Sequence, residues 1–281
     1  MNSSRQCNGS KGSLRQSAGG PISNRGRPAH SMNRRLHGCV SEFLSNGPAA
    51  RALETLLEAL EPETDVFVVG GVLRNLAAKM LHGASPPTED IDIFLSNCDS
   101  LPTLSPVTVT DLGGIQWLPR TCPISFDICL LKNFVILRKY RMSPSLENLM
   151  ASIDFTMNAL VYDVRRKHLL DGGATDDIGK HLMEFNSPMF YSRPLTAYRI
   201  LLLRQKTGFM LSSAVFQYIK QQIDIDTLLA LQKILSARFD RDGRDALWQE
   251  YDRLCAFPDY DAYRANAAEA VMVRTCGSSL D

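Results

Sequence analysis

The stretch Asp90-Ile91-Asp92-Ile93-Phe94 constrains this chain more than any other. Polar and large apolar side chains alternate there with the period of a β-strand, in which residues i and i+2 share a face. A strand over 90–95 therefore turns Asp90 and Asp92 the same way and sets Ile91, Ile93 and Leu95 on the other side. Just upstream, the apolar run Val66–Val69 ends in Gly70-Gly71, and helical spacing follows from Val72 to His82. This predicts a buried strand, a glycine turn and a helix. Glycine at such a turn lets backbone N–H groups approach an anion closely.

With 281 residues the chain can bury a sizeable core in one or two domains. Its formal net charge is +1, unevenly placed: residues 1–41 hold seven Lys/Arg and no acid, and the rest holds 24 basic and 30 acidic residues. Composition thus excludes a strongly basic nucleic-acid binder, and any grip on RNA needs a local patch or the amino-terminal segment. No apolar run reaches membrane-span length, and the start lacks a secretory apolar core. The seven cysteines are scattered with no C-x-x-C pair, so no zinc site is expected. These features predict a cytoplasmic protein with reduced thiols.

Three regions are expected. Residues 1–45, rich in Ser, Gly, Asn and Arg, read as a disordered basic tail: an RNA-binding arm, a transit peptide or a solvated extension. Residues 46–186 read as an α+β head, a small mixed sheet with flanking helices. Helical spacing marks Ala50–Leu60, and short strands are predicted at Val107–Thr110, Ile115–Leu118 and Ile124–Leu131. Leu146–Leu160 reads as a helix broken near Asp154. Val161–Val164 and His168–Leu170 read as a pair joined by a solvated Arg165-Arg166-Lys167 turn. Residues 187–281 read as a helical neck and carboxy-terminal part, with Ser213 and Asp226 as N-caps. His82, His168 and His181 read as isolated surface residues.

The chemistry rests on Asp90, Asp92 and Asp127, the last on the polar side of the strand over 124–131. If that strand lies beside the Asp90/Asp92 strand, three carboxylates converge, and carboxylate oxygens suit Mg²⁺. A phosphate cradle beside such a set points to metal-assisted nucleotidyl transfer.

Residues from about 65 to 210 resemble the head and neck of class II CCA-adding enzymes and bacterial poly(A) polymerases, in the DNA polymerase beta nucleotidyltransferase superfamily. The family's G-G-x-x-R-D and D-x-D are matched by Gly70-Gly71-Val72-Leu73-Arg74-Asn75 and Asp90-Ile91-Asp92. Phe126-Asp127-Ile128 matches the strand with the third acid, and Ser152-Ile153-Asp154-Phe155-Thr156-Met157-Asn158-Ala159 matches R-R-D-F-T-I-N-A in part. Leu170-Asp171-Gly172-Gly173 with Asp176-Asp177-Ile178, and Pro194-Leu195 with Arg199 and Gly208-Phe209, are similar to the remaining motifs.

The resemblance implies an α+β nucleotidyltransferase that uses an NTP and two Mg²⁺ ions. Asp90, Asp92 and Asp127 would be catalytic and hold the metal. Gly70, Gly71 and Arg74 would take the triphosphate, Asp154 and Asn158 the ribose, and Arg199 the base or phosphates. An RNA 3′ end, possibly of tRNA, is the expected acceptor. A protein or small-molecule acceptor, or a non-catalytic nucleotide- or RNA-binding role, are the alternatives.

The departures carry equal weight. Ser152 and Ile153 replace the family's paired arginines, and Ser192-Arg193-Pro194-Leu195-Thr196 stands where E-D-x-x-R selects CTP and ATP. Faithful CCA synthesis is therefore not expected. About 70 residues follow the neck, fewer than the family's body and tail.

Overall fold

The computed structural model describes residues 28–110 and 113–266, with side chains from 31 onward. The order of elements follows the sequence reading closely. Strand β1 (Asp65–Val69) runs through the glycine turn into α3 (Gly71–His82), and β2 (Asp90–Ser96) returns antiparallel to β1. Strands β3 (Val107–Val109), β4 (Ile115–Trp117) and β5 (Ser125–Leu130) follow. Then β6 (Leu160–Asp163) and β7 (His168–Asp171) form a hairpin over the predicted basic turn. The seven strands form one sheet in the order β3-β4-β5-β2-β1-β6-β7, and only β2 and β5 pair in parallel.

Alternation along β2 separates two faces. Ile91, Ile93 and Leu95 are fully buried in the main core, with Val66, Val68, Phe126 and Ile128 beside them. Helix α3 closes that face with Val72, Leu73, Ala77 and Ala78. The other face carries a smaller cluster, Phe67, Val69 and Val161 under Leu131, Leu137 and Leu149. Those cover residues come from the turn after β5 and from α4 (Val135–Lys139) and α5 (Leu146–Ser152). Asp90 and Asp92 lie on this second face.

Two helices precede the sheet: α1 (Pro28–Ser45) and α2 (Gly47–Glu58). Helix α1 corrects the expected tail, whose residues 1–27 lie outside the described residues. Leu36, Val40 and Leu44 sit one turn apart and are buried, so α1 packs on α2 and α3 as part of the core. Averaging composition over 45 residues hid that spacing.

After β7 come α6 (Ala174–Gly179), β8 (Leu182–Met183) and the long neck helix α7 (Arg193–Thr207). Strand β9 (Met210–Leu211) pairs with β8. Helices α8 (Ser213–Gln221), α9 (Ile225–Arg238) and α10 (Arg241–Ala256) then pack around α7, and Ile200, Leu231 and Leu247 extend the main core among them. Their N-caps are Ser212 and Asp224, not Ser213 and Asp226. Ser212 Oγ accepts from the Val215 N–H at 3.3 Å and the Asp224 carboxylate from the Thr227 N–H at 2.8 Å.

The helix predicted over 146–160 does break beside Asp154, ending at Ser152, and beyond the break only a single tight turn over Thr156–Asn158 is helical. The backbone is then taken by a bridge between Phe155 and Phe185 and by β6. Two further readings change. His82 and His181 stack at 3.9 Å rather than standing apart, and Arg166 pairs with Asp65 and Asp163 at 2.9 and 2.6 Å. No helix among the described residues is long and apolar enough to cross a membrane.

Candidate active site

The glycine turn and the carboxylate strand meet at one end of the sheet. Val69, the last residue of β1, is the register partner of Asp92, so the turn that follows β1 rises beside that carboxylate. Gly70 has φ +72° and ψ −129°, a conformation essentially reserved for glycine. A Cβ on Gly70 would stand 2.9 Å from Asp92 Oδ2, and one on Gly71 would stand 3.7 Å from Arg74 Nη2 and 4.0 Å from Asp90 Oδ1. Gly70 therefore excludes a side chain on two counts, backbone angle and space, whereas a Cβ on Gly71 would make only ordinary contacts. The first helical bond of α3 is Arg74 N–H to Gly70 C=O at 3.1 Å, so the preceding N–H groups point out of the helix end, as an anion site requires.

Asp127 lies on the strand next to β2. In the parallel β2–β5 register Asp92 pairs with Asp127 and Asp90 with Ser125, so all three carboxylates share one sheet face. Gln116 on β4 pairs with Asp127 from the other side, and its Nε2 donates to Asp127 Oδ1 at 3.0 Å. Among the described residues no three His, Cys, Asp or Glu side chains form a ready metal cage. The oxygen-only donor set still fits Mg²⁺, which is usually bound through one or two carboxylates with water and substrate phosphates completing its shell.

The charges explain what a cation would relieve. Burial, then the neighbouring carboxylates Asp90 and Asp127, push Asp92 up to about 7. Burial likewise raises Asp127, with Asp90 adding to it and the Gln116 bond opposing it. Asp92 and Asp127 thus resist ionising while their neighbours are charged, and a bound cation would invert that balance.

Behind the turn runs a buried polar network. Arg74 is 5% exposed; its Nη1 donates to Asn158 Oδ1 at 2.9 Å, and its Nε and Nη2 donate to Asn75 Oδ1 at 3.2 and 2.9 Å. Burial lowers the Arg74 pKa to about 10, so the group stays cationic at neutral pH. Asn158 Nδ2 donates to Asp154 Oδ1 at 3.2 Å, and Asp154 Oδ2 accepts a short bond from Arg199 Nε. Burial disfavours the Arg199 charge, but Asp154, Tyr191 and Asp92 outweigh it and raise its pKa. Arg74, Asn158, Asp154 and Arg199 are thus joined in one hydrogen-bonded set. Asp154, Asn158 and Arg74 contact each other more than they face outward, at 7%, 4% and 5% exposure.

Sequence reasoning missed Tyr191, Lys139 and Gln116. The Arg199 guanidinium lies 5.5 Å from the centre of the Tyr191 ring. Lys139 of α4 donates to the carbonyls of Phe190 and Tyr191, both at 2.7 Å, and the Tyr140 hydroxyl donates to Phe190 C=O at 3.1 Å. The head thereby holds the segment that leads into the neck helix. Tyr191 and Lys139 carry no sequence signal, and Gln116 gains one, its place opposite Asp127, only once strands β4 and β5 are paired.

Comparison with known proteins agrees on architecture. A CCA-adding enzyme in complex with ATP matches 73% of this chain and 55% of its own, at 17% identity and a TM-score of 0.50. A CCA-adding enzyme with CTP matches 71% and 54% at 18% identity and 0.48. The Bacillus stearothermophilus CCA-adding enzyme with CTP matches 73% and 49% at 17% identity and 0.46. No family model and no curated protein matches the chain. The first match places the fold with the CCA-adding enzymes, and the chain spans about half the length of these solved proteins.

Proposed function

We propose that this protein is a Mg²⁺-dependent nucleotidyltransferase that transfers a nucleoside monophosphate from an NTP to an acceptor hydroxyl, with an RNA 3′ end as acceptor. The observation that carries the reading is the in-register set of Asp90, Asp92 and Asp127 on one sheet face, directly beside a glycine turn in which Gly70 has neither the backbone angle nor the room for a side chain. The RNA acceptor is proposed by fold analogy with a CCA-adding enzyme.

The glycine turn and the start of α3 bind the triphosphate through backbone N–H groups, and buried Arg74 adds positive charge from beneath. Asp90 and Asp92 would hold Mg²⁺, with Asp127 as third carboxylate. Two bound ions would supply charge to the triphosphate and to the leaving pyrophosphate. The acceptor oxygen bonds to the α-phosphorus as the bond to the β-phosphate oxygen breaks. Asp127 takes the hydroxyl proton as general base. Asp154 and Asn158 position the ribose while Arg199 anchors Asp154.

The boundaries follow the same reading: a head over 46–186, joined in the core by α1, and a neck and helical part over 187–281. Ser192, Arg193 and Thr196 lack the acid pair and arginine that would read CTP and ATP, so nucleotide choice is relaxed or set elsewhere.

The test supplies purified protein with Mg²⁺, each α-labelled NTP in turn, and total cellular RNA. Label entering RNA 3′ ends, lost in Asp92→Asn, is the expected result. Label entering protein alone would reassign the acceptor, and no transfer to any acceptor would refute the reading. With tRNA lacking its 3′ end plus CTP and ATP, accurate addition of C, C and A would overturn the specificity argument.

A further inference from the structure

Beside Tyr191 a cleft of about 420 Å³ opens between the segment leading into α7 and the side of α8. That size lies within the usual range for small-molecule sites, roughly 300–1,000 Å³. Its walls combine two kinds of group. Phe190, Tyr191 and Tyr218 supply rings, with Phe190 and Tyr218 centred 5.4 Å apart. Gln217, Gln221 and Arg193 supply polar ends. Gln221 Nε2 donates to Gln217 Oε1 at 2.7 Å. Each amide keeps donor and acceptor capacity beyond that bond, the two functions that a nucleobase edge needs.

The cleft adjoins the candidate active site through one shared side chain, Tyr191. Tyr191 lines it, and the guanidinium of Arg199 lies over the same ring. From Arg199 the contacts run through Asp154, Asn158 and Arg74 to the glycine turn. The cleft wall is also held in place, because Lys139 and Tyr140 bond the carbonyls of Phe190 and Tyr191.

We infer that this cleft is the nucleobase subsite of the chain: the base of the incoming NTP stacks against the aromatic wall, and Gln217 and Gln221 read its edge. Stacking suits every base, while a pair of amides can turn to present either hydrogen-bonding pattern. The subsite therefore binds all four bases and ranks them weakly. The inference rests on the nucleotidyl-transfer reading and goes further by naming the residues that replace the missing acid pair and arginine.

The experiment titrates ATP, CTP, GTP, UTP and inorganic tripolyphosphate, each with Mg²⁺, into the full-length wild-type protein and into Tyr191→Ala, Tyr191→Phe and the double variant Gln217→Leu/Gln221→Leu. Thermal melting confirms that each variant is folded. Tyr191→Ala is expected to weaken all four NTPs by about tenfold, the loss of one base stack, and Tyr191→Phe to restore them. The double glutamine variant is expected to change the ranking among bases, with tripolyphosphate binding like wild type throughout. Unchanged NTP affinities and ranking in folded variants would overturn the subsite while leaving the transferase reading intact. Failure of the wild type to bind any NTP or tripolyphosphate would overturn both.

Discussion

Asp92 and Arg199 belong to the same site but are held there by different means. Asp92 is placed by its strand: alternation aims it, and pairing with Val69 and Asp127 fixes its neighbours. Its environment opposes its charge, since burial and two carboxylates raise it to about 7. Arg199 is placed by a partner 45 residues away, and its environment supports its charge through Asp154 and Tyr191. The Asp92 side of the site thus opposes its own charge, while the Arg199 side is already neutralised from within. Groups strained in the folded state mark where chemistry is done, and satisfied ion pairs mark where it is braced.

Asp92→Asn separates the two most sharply. Under the proposed function, transfer activity should fall on the order of 10³-fold, since the side chain proposed to hold Mg²⁺ keeps its size but loses its charge. Stability should move the other way. The folded chain keeps the Asp92 proton to about pH 7, while the unfolded chain releases it near pH 4, so metal-free stability falls as pH rises through that window. In melts with chelator, Asp92→Asn should match wild type near about pH 4 and exceed it by on the order of 2 kcal/mol at about pH 8. A variant less stable than wild type at the higher pH would show that Asp92 is not strained.

Arg199→Leu should do the opposite. It leaves the Asp154 side chain, 8% exposed, without its cation, and should cost about 2–3 kcal/mol in urea unfolding. A negligible cost would mean that water reaches Asp154 freely.

Lys139→Met probes the brace one step further out. Two bonds to the Phe190 and Tyr191 carbonyls are lost from an exposed lysine, so stability should drop by only about 1 kcal/mol. Nucleotide KM should rise a few-fold with kcat little changed, because the loosened Tyr191 affects binding more than chemistry.

The smallest effect belongs to Gln116→Leu. Its bond to Asp127 opposes the rise that burial causes, so its removal should shift Asp127 further upward. The acid limb of the pH–activity profile should move to higher pH, with the fold unaffected. A shift to lower pH would remove Asp127 from the titrating set.

The carboxylate half was legible from residues alone because everything that places it is local. A period of two puts Asp90 and Asp92 on one face, and a glycine pair after four apolar residues marks the turn. Even Asp127 could be assigned to the polar side of its strand, because alternation needs no knowledge of partners. Helix α1 was legible too, in Leu36, Val40 and Leu44, and was obscured only by the composition around it.

Tertiary structure alone decided the rest. That β5 lies parallel to β2 in the register joining Asp127 to Asp92 depends on pairing across 35 residues of sequence, which no local pattern encodes. That Lys139 holds the Phe190 and Tyr191 carbonyls, that Gln116 holds Asp127, and that Arg199 turns to Asp154 are contacts between long, flexible side chains and distant groups. Local propensity aims a side chain at a face. What it meets there is set by how whole elements pack, and packing is a property of the folded chain.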